Sequence, residues 1–329
     1  MSGYREQVES ALRAAAVTST TSYTWFGRPS RPLTPAVAAA LTPAAASRFL
    51  TGGLANELYR WFYTQGRPVP VGMKDTTGRF DRALVEALSR ANSGAGGWEP
   101  GWRIERIERT TGLIVRDGLR ARVSMSQCRE GDRGLVVGAP VSIRRPKDTL
   151  TGSPGFYTAL GDVDPDARRV EVRVYFNIDA DGAVPLVAAC TRVLNRAGIP
   201  FDLKVVANPG GFERCDAAVL YLEDDGFAPA RESLRTIIST CRQHLHGDPP
   251  AFAKPIAPGL AVGEHRPSLG ASFGMSRCQL VAEGIVAAYE NGARRLSDRV
   301  DAVARRFADR RLDIDVPYLA PGSPDRYEL

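Results

Sequence analysis

Of the 43 lysines and arginines in this 329-residue chain, only four are lysines: Lys74, Lys147, Lys204 and Lys254. An arginine is a permanent cation, whereas a lysine in hostile surroundings can give up its proton and act as a base. Lys204 lies in the alternating stretch Phe201–Val206, where Phe201, Leu203 and Val205 share one face and Asp202 and Lys204 the other. Residues 169–178 split the same way, with Val170, Val172, Val174 and Phe176 against Glu171, Arg173, Tyr175 and Asn177. Cys215–Leu222 is mostly apolar, and Arg214 and Asp216 stand opposite Cys215, Ala217 and Val219. Set side by side in one sheet, these strands would gather Arg173, Tyr175, Asn177, Lys204, Arg214 and Asp216 on one surface. That set suits proton abstraction beside a bound anion. Arginines grip phosphate or carboxylate with two parallel bonds, and their field favours the neutral form of a lysine among them. A solvated sheet face would alternate similarly, but it would draw on Ser, Thr and Glu, and in this chain on Arg rather than Lys.

A second group runs through Lys254–Gly259, Glu264-His265-Arg266-Pro267 and Ala271–Arg277. Ser272 reads as a helix N-cap, and a helix N-terminus with Arg277 one turn inside favours an anion. His265 reads either as a loop histidine or as a proton donor. The basic run Arg144-Arg145-Pro146-Lys147-Asp148 has the composition of a solvated loop or of a further anion contact. No GxGxxG, Walker loop, HExxH, GxSxG or kinase HRD or DFG set occurs, so nucleotide, zinc and serine-hydrolase chemistry have no motif behind them. The five cysteines are far apart with no CxxC pair, which reads as reduced core thiols rather than a disulfide frame or a zinc site.

The elements that must position these residues follow from periodicity. Residues 4–16 read as an amphipathic helix and Thr18–Pro43 as loop with short helical pieces. Ala44–Gln65 reads as a helix carrying Tyr59, Trp61, Phe62 and Tyr63, with Gly52-Gly53 as a point where it could split. Phe80, Leu84 and Leu88 mark a helix over 79–91, and the Gly-rich stretch Ser93–Gly97 reads as a flexible break. Beyond it Trp102–Arg109, Leu113–Val115, Leu119–Met125 and Gly134–Ile143 read as strands. Pro185–Ala197 reads as a helix stopped by Gly198, Phe227–His244 as another, and Pro249–Pro258 as irregular. Ser276–Ala308 reads as a long helix broken near Gly284 or Gly292, and the last dozen residues as a tail. Strands and helices mix without a strict βαβ order. The expected fold is therefore α+β, with a helical N-terminal region (1–97) and a domain (98–329) built on a mixed, mostly antiparallel sheet flanked by helices.

With 43% hydrophobic and 24% charged residues the composition is that of a globular protein. A net charge of +6 suits an anionic partner. No basic stripe with interleaved aromatics points to nucleic acid, and no apolar run is long enough to span a membrane. The polar start Met1–Glu9 lacks the basic and apolar parts of a secretory leader, so a cytoplasmic protein is expected.

Val174-Tyr175-Phe176-Asn177, Leu194-Asn195, Ile199-Pro200-Phe201, Lys204, Arg214–Tyr221, Ala253-Lys254, Ala257–Ala261, Glu264, Ser272-Phe273-Gly274 and Arg277 together resemble, in order, the HopA-type effector family. That family is named for a type III secreted effector of plant pathogens. Similar proteins in actinobacterial clusters for class V lanthipeptides and thioamitides are understood as phosphoserine/phosphothreonine lyases. They work beside an aminoglycoside-phosphotransferase-like kinase. The resemblance implies phosphate elimination from a phosphorylated precursor peptide, giving dehydroalanine or dehydrobutyrine, with no metal or organic cofactor. The resemblance supports the positions, and the chemistry of the residues suggests the roles: crowding by Arg173 and Arg214 would suit Lys204 as base, with His265 as acid and Asp216 as the group that orients Lys204 or an arginine. Arg144, Arg173, Arg214, Lys254 and Arg277 would hold phosphate, and Tyr175 and Asn177 the peptide backbone. A non-catalytic effector-like or leader-peptide-binding protein is the alternative.

Overall fold

Residues 3–65, 80–131, 134–163, 170–266 and 271–329 are described by the structure, a computed structural model. Lys74, the helix start expected at Arg79, the strand start expected at Arg169 and Pro267 lie outside them. Helix α1 (Tyr4–Ala14) runs directly into the strands β1 (Ala15–Ser19), β2 (Ser22–Trp25) and β3 (Arg28–Pro29), which form a small antiparallel sheet. This sheet stands where a loop was expected. Tyr23 and Trp25 alternate inward with Ser22 and Thr24, so the period of two was present but short.

Helices α2 (Pro35–Ala40) and α3 (Pro43–Leu58) follow, then a π-helical turn (Tyr59–Tyr63) and α4 (Arg82–Ala91). The glycine pair does not split α3. Gly53 lies against the Tyr23 ring, where a Cβ would come within 2.8 Å, so glycine here makes room for packing.

Strands β4 (Gly97–Glu108), β5 (Thr111–Arg116), β6 (Leu119–Ser124), β7 (Cys128–Glu130) and β8 (Pro140–Arg145) form a five-stranded sheet in the order β6-β5-β4-β8-β7. It has its own apolar cluster of Trp102, Ile104, Ile114, Cys128 and Val141.

The rest of the chain supplies β9 (Asp148–Thr149), β10 (Phe156–Leu160), β11 (Glu171–Phe176), α5 (Ala180–Arg196), β12 (Asp202–Val206), β13 (Ala218–Glu223), α6 (Phe227–Cys241), β14 (Lys254–Ala257), β15 (Leu260–His265), α7 (Phe273–Glu290) and α8 (Leu296–Asp309). Seven strands pair antiparallel in the order β14-β15-β11-β13-β12-β10-β9. β13 is central, which accounts for its nearly unbroken apolar run. Helix α5 begins before the expected Pro185 because Asp179 caps it, accepting from the Gly182 N–H at 2.8 Å. The long C-terminal helix is broken at Gly292, with φ +68, and not at Gly284. Gly284 instead lets α7 and α8 touch, since a Cβ there would lie 2.5 Å from Val303 Cα. The fold is α+β, as the mixed periodicities predict.

One apolar core joins the N-terminal helices to the large sheet, with Leu12, Leu54 and Leu58 in the same cluster as Val174, Leu203 and Leu220. The expected C-terminal tail belongs to this core as well. Tyr318, Leu319, Ala320 and Tyr327 are buried. Glu264 fixes the segment: its N–H donates to the Tyr318 carbonyl at 2.7 Å, and its carboxylate accepts from Ala320 N–H at 2.8 Å and from the Tyr327 hydroxyl. Among the described residues no helix is long and apolar enough to cross a membrane.

Candidate active site

Antiparallel register decides which side chains meet, because directly opposed residues share a face. On the large sheet Thr158, Lys204, Val219, Tyr175 and Ala261 form one row. Leu160, Asp202, Tyr221, Arg173 and Gly263 form the next, and Glu223, Glu171 and His265 a third. The opposite face is apolar, with Leu203, Leu220, Val174 and Val262 in register beneath α4–α6. Over the β15 half of the polar face, α7 and the π turn form a roof. Phe273 rests on Gly263, and its ring lies 5.9 Å from that of Tyr175. Tyr63 fits against Gly274, where a Cβ would be 2.3 Å from its ring. The β11–β12–β10 half carries the cations.

Arg214 and Asp216 reach this cluster by a different route from the one expected. β13 starts only at Ala218, and its residues on the polar face are Val219, Tyr221 and Glu223. Arg214 and Asp216 lie in the turn before the strand, where alternation no longer holds. Arg214 forks onto Asp216, with Nε to Oδ1 and Nη2 to Oδ2 at 2.9 Å, and Nη2 also donates to the Tyr59 hydroxyl at 3.3 Å. Arg173 donates to Glu171 Oε1 at 2.5 Å and lies 5.2 Å from the Tyr221 ring centre. Each of the two carboxylates is thus engaged by an arginine.

Lys204 is not. Among the described residues it makes no hydrogen bond and no ion pair, and its Nζ sits 3.9 Å over the Phe156 ring. Burial is the main cause that brings its pKa down to about 8; among the neighbouring charges Asp216 raises it most, Arg214 and Arg173 lower it, and Glu171 raises it least. The Tyr175 hydroxyl is buried beside Arg173 and Tyr63.

The other expected site residues are placed elsewhere or otherwise engaged. Lys254 opposes Val262 in the register that leads through Val174 and Leu220 to Leu203, which puts it on the face opposite Lys204. Four strand spacings separate β14 from β12, roughly 19 Å, and Lys254 Nζ is held by Asp325 at 2.7 Å. Arg277 is 1% exposed, and its guanidinium is committed to the Pro317 carbonyl at 3.0 Å, the Leu319 carbonyl at 3.3 Å and the Ser276 hydroxyl at 3.1 Å. It pins the C-terminal segment rather than facing Lys204. Arg144 belongs to the five-stranded sheet, donates to the Ala95 carbonyl and covers Trp98. Asn177 lies just past β11 and donates to the Asp248 carbonyl at 2.9 Å, joining two loops.

His265 shares the polar face but is buried, and its Nδ1 has no partner among the described residues. Burial, Arg173 and Arg277 press its pKa down to about 4, so the imidazole is neutral at pH 7. Sequence reasoning leaves Phe156, Tyr59, Tyr63 and Tyr221 out of the site, although it places Glu171 on the right face. The aromatic cluster at 59–63 and the alternation around Arg173 were visible, but nothing in them revealed that the π turn would dock here. No group of three or more His, Cys, Asp or Glu side chains able to hold a metal ion occurs among the described residues.

A depressed lysine weakens the fold while it stays charged. With the pKa lowered from 10.5 to about 8, the penalty is complete below pH 8 and fades as pH rises to 10.5. Lys204→Met is therefore expected to stabilise the protein by about 1–3 kcal/mol at pH 7. That gain should vanish near pH 10.5, as read from urea unfolding at both pH values.

Residues 149–319, more than half of the chain, match the model of the HopA1 effector protein family. The match spans all of the large sheet beyond Asp148 and includes Phe156, Arg173, Lys204, Arg214 and Asp216. Among solved structures, the effector protein from Pseudomonas syringae pv. tomato strain DC3000 is 17% identical. The alignment covers 80% of this chain and 89% of that one, with a TM-score of 0.48. The effector protein from Pseudomonas syringae pv. syringae strain 61 is 13% identical over 83% of this chain and 96% of that one, with a TM-score of 0.46. No curated protein matches the chain. On the family match over its sheet and cation cluster, the chain belongs to the HopA1 effector protein family.

Proposed function

We propose that this protein is a lyase that removes phosphate from phosphoserine and phosphothreonine residues of a ribosomally made precursor peptide. The products are dehydroalanine and dehydrobutyrine, as in lanthipeptide and thioamitide biosynthesis. One observation carries the reading: a half-buried lysine beside two arginines, whose neighbouring carboxylates Asp216 and Glu171 are ion-paired to those arginines and not to it. Elimination needs that arrangement. The neutral amine of Lys204 takes the Cα proton, the electron pair of that bond becomes the Cα–Cβ double bond, and the Cβ–O bond breaks with its pair leaving on phosphate. Negative charge that builds on the peptide carbonyl is met by Arg173. Arg214 already holds a carboxylate two-pronged, the same geometry that two phosphate oxygens take.

Phosphate leaves as a stable anion, since its second pKa is about 6, so the neutrality of His265 is no obstacle. Departure of phosphate therefore does not require His265 as the acid. The peptide's phosphate is supplied by a kinase, for which an aminoglycoside-phosphotransferase-like enzyme in the same cytoplasm is the proposed partner.

Incubation with a phosphorylated precursor peptide should lower the peptide mass by one phosphoric acid without added nucleotide. Loss of the phosphoryl group with gain of water would identify a phosphatase and overturn the proposal. Tight phosphopeptide binding with no mass change would support a binding module instead.

A further inference from the structure

Two cations of the cluster share one aromatic ring. Lys204 Nζ lies 3.9 Å from the centre of Phe156, and Arg214 Cζ lies 5.3 Å from it. The sheet fixes that ring. Phe156 opposes Val206, two positions along β10 from Thr158, which opposes Lys204, so ring and amine are diagonal neighbours on one face. The ladder continues past the strand end, where the Ala207 N–H donates to the Gly155 carbonyl at 3.0 Å.

The charged and titratable groups facing Lys204 come from two other elements. Arg214 and Asp216 reach it from the turn before β13, and Arg173 and Glu171 from β11. Both carboxylates are held by their own arginines. The ring is therefore the contact left to the amine.

We propose that Phe156 is the positioning residue of Lys204: its ring face, in place of a carboxylate, anchors the amine within the cluster without locking it as an ammonium. A ring quadrupole attracts a cation only modestly, whereas a carboxylate at hydrogen-bond distance would hold the proton firmly. The purpose of this anchor rests on the lyase reading, but the anchor itself does not.

The scarcity of lysine makes the test direct. Full-length protein labelled with 15N,13C-lysine contains four side-chain amines, assignable by single Lys→Arg variants. Titration by NMR then reads the pKa of Lys204 in the unaltered protein, Phe156→Leu and Phe156→Trp. Removing the ring removes a stabiliser of the charged form, so Leu should lower the Lys204 pKa by about half a unit to one unit. Trp, the better cation binder, should raise it. Each variant is informative alone should the other fail to fold, as judged by thermal unfolding. In turnover, Phe156→Leu should lower kcat about tenfold with little change in KM, and shift the acid limb of the pH profile downward.

A Lys204 pKa unchanged in both folded variants would overturn the proposal, even if elimination is observed. The order Trp above Phe above Leu would support it, even if no variant and not the unaltered protein eliminates phosphate, in which case only the lyase reading falls.

Discussion

Replacing Lys204 by arginine should cut the elimination rate by about 10²–10⁴-fold, the range typical of a lost general base, while phosphopeptide binding persists. Arginine keeps the positive charge and much of the length but stays protonated in any protein setting. Only a residue required in its neutral form loses its function on that exchange. The pH profile gives a second reading of the same group. With a pKa near 8, the neutral fraction of Lys204 rises about tenfold per unit below pH 8 and levels off above it. The rate should follow that curve, with its acid limb ending near 8. If Lys204 only clamps phosphate, arginine should replace it with modest loss, since a guanidinium holds phosphate at least as well. If it is only a sheet residue, neither Lys204→Arg nor Lys204→Ala should move rate or affinity. Near-normal turnover in Lys204→Arg would end the base assignment.

The parts of this site that could be read in the sequence were those set by strict alternation. Glu171, Arg173 and Tyr175 on β11 and Asp202 and Lys204 on β12 take their faces from a period of two, and the antiparallel register places them side by side. The reading broke down where the backbone leaves the strand. Arg214 and Asp216 were assigned a face by extending β13 backward, yet they reach the cluster from a turn. The resemblance brings Lys254 to the phosphate beside Lys204, but register carries it to the other face, where Asp325 takes its charge. Arg277 one turn into α7 looked like an anion ligand. Its true partners are backbone carbonyls at Pro317 and Leu319, in a segment that periodicity marked as tail.

The aromatic contributions were hidden for a related reason. Tyr59 and Tyr63 stack 5.1 Å apart in a π turn at the end of the helix, and helical periodicity does not foresee such a turn. The Tyr59 hydroxyl then meets Arg214 across 155 residues of chain, a contact fixed by tertiary structure alone.

The second large effect concerns Arg214. Replacing it by methionine keeps much of the volume but leaves Asp216, with only 8% of its side chain exposed, without its counter-ion. Breaking one side of a buried pair costs about 3 kcal/mol or more, so Arg214→Met should unfold at clearly lower denaturant. If that penalty comes from the stranded carboxylate, adding Asp216→Ala should restore most of the lost stability, because removing both partners is often close to neutral. Turnover should behave differently. If Arg214 is the group that holds phosphate, both the single and the double variant should lose about 10²–10³-fold in elimination rate, as for removal of a charge-stabilising donor. Arg214→Lys should fall between, since an ammonium supplies the charge without the two-pronged fork. Recovery of turnover together with stability in the double variant would reduce Arg214 to a partner of Asp216. Recovery of stability alone would separate its work on the substrate from its work on the fold.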